Sequence, residues 1–172
     1  MKTVLLMRHA KSAWDDPSLD DFHRPLAPRG RDAAPRMAAY LRDAGLTPDY
    51  AISSAAIRAL ETWTLMAALF EREIPLASDE ALFHAGPYGM LAALSASPGS
   101  AGKALLIAHS PGIEGLAAVL TGPGSDRRAM ARLRAKFPTA ALAVIEFDVD
   151  DWRGLGKSAG RLTAFVTPRE LV

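Results

Sequence analysis

Two short stretches of the chain hold residue types suited to anion chemistry. Arg8-His9 directly follows one apolar run, and His109-Ser110-Pro111-Gly112 directly follows another. A third stretch, Ser53-Ser54 followed by Arg58, stands between an apolar segment and a helical pattern. Guanidinium forks bind phosphate oxygens bidentately, imidazole can act as a nitrogen nucleophile, and helix N-termini add oriented N–H donors. A lone histidine is ordinarily a surface or satisfied polar residue. Here two of the four histidines and two arginines fall at strand ends with no carboxylate beside them in sequence, which points to a cationic cluster for a dianionic phosphoryl group.

The elements that must position these residues follow from hydrophobic patterning. Thr3 to Met7 is a continuous β-prone apolar run, as expected of a strand buried on both faces of a parallel sheet. Lys11 to Gly30 is polar and rich in Asp and Pro, which predicts a long loop of a length usually reserved for function. Arg31 to Ala44 places apolar residues at helical spacing and is stopped by Gly45. The pattern then predicts a strand at Tyr50–Ser53, a helix at Ile57–Arg72, a strand near Ile74–Ala77 and a helix near Tyr88–Ser95. A strand at Ala104–Ala108, helices at Ile113–Leu120 and Arg127–Lys136, and strands at Ala140–Phe147 and Leu162–Val166 complete the order. Strands alternating with helices predict an α/β sandwich with a mainly parallel sheet, in which ligands collect outside the carboxyl ends of the strands. All three candidate stretches lie at such ends.

Composition narrows the function classes. A chain of 172 residues, 49% hydrophobic, is the size of one domain with one core, and neither a repeat nor a linker divides residues 1–172. A net charge of +1 supplies no global field for nucleic acid or an anionic membrane, so affinity for anions must be local. The absence of cysteine excludes disulfides, a thiolate nucleophile and sulfur-ligated metal, and fits a cytoplasmic protein. The N-terminal apolar run is too short for a signal segment, and no run approaches the roughly 18 residues of a membrane span.

At the level of motifs the chain resembles the histidine phosphatase superfamily and, within it, the small bacterial SixA-like phosphohistidine phosphatases. The likeness spans nearly the whole chain. It rests on Met7-Arg8-His9-Ala10, with alanine where the superfamily has glycine, on Ser53 to Thr62 with Arg58 at the head of a helix, and on Leu106-Ile107-Ala108-His109-Ser110-Pro111-Gly112. Arg24-Pro25-Leu26 followed by Gly30 resembles the segment that brings a further arginine to the phosphate in this branch. The resemblance implies a three-layer α/β sandwich in which His9 attacks phosphorus while Arg8, Arg58 and His109 hold the equatorial oxygens, with Arg24 as another phosphate contact. It implies no metal and no cofactor, and nearby arginines would favour the neutral imidazole of His9. Larger members supply an acidic residue after the third strand, where this chain has Asp79-Glu80, making Glu80 the candidate proton donor. Asp15, Asp16, Asp20 and Asp21 are alternatives, and His23 and His84 have no direct part. Larger relatives also insert a helical cap between Phe83 and Ala104, where this chain has room for about one helix. An open site fits phosphohistidine on a protein, with small phosphoesters as the alternative substrate. The basic run Arg127, Arg128, Arg132, Arg134 and Lys136 is either a docking surface for an acidic phosphoprotein or a solvated helix face.

Rival chemistries fail on order or spacing. Ala108 to Gly112 looks like a nucleophile elbow, but an α/β-hydrolase triad needs its histidine after the serine, and every histidine precedes Ser110. Gly102-Lys103 lacks the earlier glycine and the hydroxyl of a P-loop, and no histidine pair has zinc spacing. A non-catalytic phosphoprotein-binding module would not need both histidines, and a mutase would need a closed pocket.

Overall fold

The structure is a computed structural model and describes residues 1–171. Its strands are β1 (Lys2–Arg8), β2 (Tyr50–Ser54), β3 (Leu76–Asp79), β4 (Lys103–Ala108), β5 (Leu142–Phe147) and β6 (Arg161–Val166). They form one sheet in the order β3-β2-β4-β1-β5-β6, parallel except where β5 runs against both β1 and β6. The helices are α1 (Pro28–Asp43), α2 (Ile57–Ala67), α3 (Pro87–Ser95), α4 (Gly112–Leu120) and α5 (Arg127–Ala135). This is the expected α/β sandwich with a mainly parallel sheet.

Alternation along the central strands fills both faces. Leu5, Met7, Leu105 and Ile107 pack with Met37 and Leu41 of α1 and Trp63 and Met66 of α2. Val4, Leu6, Leu106 and Ala108 pack with Leu94 of α3, Ile113 and Leu116 of α4, and Leu133 of α5. Val4 to Met7 are wholly buried, each contributing about 1.5–3 kcal/mol for its larger side chain. That explains an apolar run without polar alternation. No helix of the described residues is long and apolar enough to cross a membrane.

Register makes the functional edge. Arg8 pairs with Ala108 and Ser53 with Ile107, so His9, His109 and the Ser54–Arg58 turn emerge side by side where the parallel strands end. The chain leaves β1, crosses by α1 to β2 and later inserts β4 between them, which puts this edge at a topological switch point. Between Phe83 and β4 the chain has only α3, whose Met90 and Leu94 are buried in the sheet-face core, so no helical cap covers the edge.

Several boundaries differ from the sequence-based expectation. α1 begins at Pro28, inside the predicted loop, because proline at the first helical position needs no N–H partner. The rest of that loop is pinned: Ser12 bridges Leu26, the Ala13 N–H donates to the Pro25 carbonyl at 2.8 Å, and Asp21–His23 forms a 3-10 turn. α1 ends as Gly45 predicts. With φ at +70° that glycine lets the Leu46 N–H reach the Leu41 carbonyl and its own N–H reach Arg42. α2 stops at Ala67 rather than Arg72, because Phe70 turns back onto Trp63 and the Arg72 guanidinium is drawn to the Pro48 carbonyl and Asp49. β3 occupies Leu76–Asp79 rather than Ile74–Ala77; as a largely exposed edge strand it carries polar residues and little apolar signal.

Gly30 joins α1 to the segment just after His9. A Cβ there would lie 2.2 Å from the Lys11 carbonyl oxygen. Gly30→Ala is therefore expected to destabilise the protein by about 1–3 kcal/mol through overpacking, seen as a lower urea midpoint at unchanged slope. A wild-type midpoint would contradict this close approach.

Candidate active site

His9 follows β1 directly and is anchored by backbone on both sides. Its N–H donates to the Ala108 carbonyl at 3.1 Å, and its carbonyl accepts from the Ala140 N–H at 3.0 Å. The next peptide is clamped to α2: the Ala10 N–H donates to Thr62 Oγ1 at 3.0 Å, and Thr62 Oγ1 donates to the Arg58 carbonyl at 2.7 Å. The Ala10 carbonyl lies 2.7 Å from His9 Nδ1. A carbonyl only accepts, so Nδ1 carries the proton and Nε2 of the neutral ring keeps its lone pair. Arg58 Nε donates to that Nε2 at 3.3 Å.

His109 comes from the end of β4, its ring centroid 5.0 Å from that of His9. Its Nε2 lies 2.7 Å from Ser54 Oγ, an oxygen that accepts from the Ala56 N–H. Phe83 packs edge-on to His109 at 5.3 Å and lies 5.5 Å from the Arg58 guanidinium. Arg8 Nη1 donates to the Phe137 carbonyl at 3.0 Å. Among the described residues, three buried side-chain polar atoms have no hydrogen-bond partner, and two of them, Arg8 Nε and His109 Nδ1, belong to this cluster. Buried polar atoms are rarely left so, and at a functional edge such orphans point to a ligand.

Burial decides the protonation of both rings. It holds His9 far below the ordinary histidine value, at about 3, and the His109, Arg58 and Arg8 charges push the same way against the Ala10 carbonyl. His109 is held at about 4, first by burial and then by Arg58. Desolvation, rather than the arginines alone, keeps the imidazoles neutral. Burial also lowers Arg8 and Arg58 from their usual values, but guanidinium remains a cation at neutral pH.

The cationic cluster has a carboxylate partner in Asp21, from the loop after β1. Its Oδ1 takes Arg24 Nε at 2.8 Å, its Oδ2 lies 3.3 Å from Arg58 Nη2, and its backbone carbonyl accepts from Arg58 Nη1 at 2.5 Å. Its own burial pushes its pKa up, but the Arg24 hydrogen bond and the Arg58 and Arg24 charges outweigh this and hold it below the ordinary carboxylate value. Asp21 is thus an anion between two arginines and a poor proton donor. Arg24 is buried, donating also to Ser12 Oγ and the Ala13 carbonyl, with Trp14 stacked 3.3 Å over its guanidinium.

The structure therefore brings Arg8, His9, Arg58 and His109 together and joins Arg24 to them through Asp21. Glu80 lies exposed just after β3, and among the described residues no hydrogen bond joins it to the cluster; from that segment it is Phe83 that touches the site. Glu61, three residues past Arg58, accepts from the Leu26 N–H and from Arg31. Sequence reasoning missed Ser54 as the partner of His109 and Thr62 as the clamp on Ala10. The four-residue spacing from Arg58 to Thr62 carries the second signal, since it stacks them on one helix face. No group of three or more His, Asp or Glu among the described residues is placed to hold a metal ion.

Comparison with known proteins agrees with this arrangement. The family model for the histidine phosphatase superfamily (branch 1) matches residues 4–85. The uncharacterized protein ML1117 of Mycobacterium leprae is 33% identical over 166 residues, which cover 95% of this chain and 100% of the relative. Among solved structures, a protein from Agrobacterium tumefaciens assigned as the phosphohistidine phosphatase SixA superimposes with a TM-score of 0.80 at 28% identity, over 97% of this chain and 99% of that one. A second protein so assigned, from Nakamurella multipartitia, gives 0.83 at 25% identity, over 97% and 96%. With two imidazoles and two arginines meeting at the expected sheet edge, and with relatives matched along nearly its whole length, the chain belongs to the histidine phosphatase superfamily.

Proposed function

We propose that the chain is a phosphatase that hydrolyses phosphohistidine on proteins through a phosphoryl group carried transiently by His9. One observation carries this reading: His9 presents an unprotonated Nε2 amid guanidinium groups while Arg8 Nε and His109 Nδ1 lie buried without partners. In the first step Nε2 attacks phosphorus in line, forming the new N–P bond as the bond to the leaving group breaks. In the second, water attacks the same phosphorus, the N–P bond breaks, and phosphate leaves with His9 restored. Arg8, Arg58 and His109 stabilise the equatorial oxygens, supplying the charge that phosphoryl transfer demands. His109 does so in the tautomer protonated at Nδ1, with the Ser54 hydroxyl donating to Nε2. No metal enters the scheme. Arg24 is the less direct phosphate contact, since its Nε and Nη1 are already committed to Asp21, Ser12 and the Ala13 carbonyl.

The substrate class follows from leaving-group chemistry and access. A protonated phosphoimidazole departs easily, so the exposed Glu80 is not required as donor for it, whereas an alkyl phosphate would need one. A site without a cap admits a side chain on a protein surface, while small metabolites usually need enclosing walls. The names given to the Agrobacterium and Nakamurella proteins support the same substrate.

The direct test compares turnover of a phosphohistidine-bearing peptide with that of aryl and alkyl phosphates. Wild-type protein is expected to favour the phosphohistidine peptide in kcat/KM, His9→Ala to lose roughly three orders of magnitude or more on every substrate, and Glu80→Gln to slow only the alkyl phosphate. Wild-type turnover by His9→Ala would overturn the mechanism, and a preference for the alkyl phosphate would overturn the substrate assignment. Asp21→Asn frees Arg58 and Arg24 from an internal anion. Inhibition by inorganic phosphate or tungstate should then strengthen by about two- to tenfold, an effect on the order of 1 kcal/mol; weaker inhibition would show that Asp21 helps the anion bind.

The pH profile has a defined sign. His9 is neutral above about 3 and His109 above about 4, and protonation of Nε2 removes the attacking lone pair. After correction for substrate ionisation, kcat/KM should stay level from neutrality down to about pH 4 and fall as the pH drops through about 3. An acid limb centred near the ordinary histidine value of 6.5 would contradict a desolvated nucleophile.

A further inference from the structure

Beside the phosphate site lies a second concavity that the proposed chemistry does not use. It is a cleft of about 560 Å³ between the start of α1, the loop after β1, the segment before β5 and the turn after β6. Five cations line it, Lys11, Arg29, Arg36, Lys136 and Arg169, against one carboxylate, Asp32. Asp32 is already paired with Arg36. Lys11, Arg29, Lys136 and Arg169 have no ion-pair partner among the described residues.

The placement runs against local stability. Arg29 stands in the first turn of α1, whose start has no acidic residue and no side-chain cap, although the helix dipole makes a cation there unfavourable by about 0.3–1 kcal/mol. Arg31 in the same turn is compensated by Glu61; Arg29 is not. A local rule broken without internal compensation marks a functional position. The cleft is lined by segments that run on directly from the site. Lys11 stands two residues past His9, and Pro138 and Thr139 follow Phe137, whose carbonyl holds the Arg8 guanidinium.

We infer that this cleft docks an acidic segment of the phosphorylated protein, next to the residue being dephosphorylated. The inference rests on the phosphoprotein reading above. The cations come from four separate chain segments with Ala33, Pro138 and Pro168 between them, so they match several spaced carboxylates on an apolar backing better than one compact polyphosphate. The basic run of the sequence is divided accordingly. Lys136 faces this cleft, Arg132 is committed to Glu170 and the Phe165 carbonyl, and Arg127 and Arg134 line a separate hollow on the other side of α5. Only Lys136 of that run serves docking here.

The test uses the full chain, a phosphohistidine peptide flanked by Asp and Glu, the same peptide with neutral flanks, and an aryl phosphate. At low salt the acidic peptide should be preferred by about tenfold in kcat/KM, with the preference shrinking as salt shortens the screening length. Arg29→Glu with Lys136→Glu should abolish that preference and leave aryl phosphate turnover unchanged. If the reversal variant folds poorly, Arg29→Gln with Lys136→Gln should still reduce the preference by about half. Equal wild-type rates on the two peptides, or a preference that survives in both double variants, would overturn docking. So would a matching preference for a small bisphosphate over a monophosphate, lost in the same variants, since that would assign the cleft to a second phosphate. Loss of His9-dependent aryl phosphate turnover in wild-type protein would instead defeat the underlying phosphatase reading.

Discussion

The hydrogen bond from His9 Nδ1 to the carbonyl of its own neighbour, Ala10, governs what the rest of the site can do. It decides which ring nitrogen keeps its lone pair, and it holds the ring in a fixed direction. On the other side of the same residue the Ala10 N–H is held by Thr62, and Thr62 is held in turn by the backbone of Arg58. Nucleophile and phosphate-binding arginine are thus set by a single chain of contacts running from β1 to α2. Alanine at position 10, where the superfamily has glycine, fits this role, because the position contributes its peptide and its side chain is fully buried.

Crowding cationic groups at a buried edge is costly, and the structure meets that cost unevenly. Burial keeps both imidazoles neutral, which removes two charges from the cluster. Asp21 supplies one anion between Arg24 and Arg58, while Arg8 Nε and His109 Nδ1 remain unsatisfied. A dianionic phosphoryl group would complete what the protein leaves open, so unsatisfied polarity here is the counterpart of ligand affinity. The lack of a cap is consistent with the same economy: α3 is spent on the sheet-face core with Met90 and Leu94, leaving the edge accessible.

Much of this was legible in the chain because buried strands leave a local signal, a continuous apolar run that ends where the candidate residues begin. The apolar runs of β1 and β4 predict strands whose carboxyl ends carry the candidate residues; the pairing of Arg8 with Ala108 then shows the two strands to be neighbours. Gly45 announced the end of α1 for the same local reason, a left-handed position. What escaped was set by contacts distant in sequence. Asp21 looks like any other loop carboxylate until the loop folds back by the Ser12–Leu26 bridge and brings it to Arg58, 37 residues away. Ser54 meets His109 across 55 residues. α2 overran in the sequence reading because Ala68 to Arg72 has good helix formers, while the contacts that stop it, Phe70 on Trp63 and Arg72 on Pro48 and Asp49, are tertiary.

The most direct measurement is to trap the phosphoenzyme by rapid quench and determine by mass spectrometry and phosphorus NMR which residue and which ring nitrogen carry the phosphoryl group. A neutral ring fixed by Ala10 predicts the adduct on Nε2 of His9. Phosphorylation at Nδ1, or on His109 in place of His9, would contradict the account at its root.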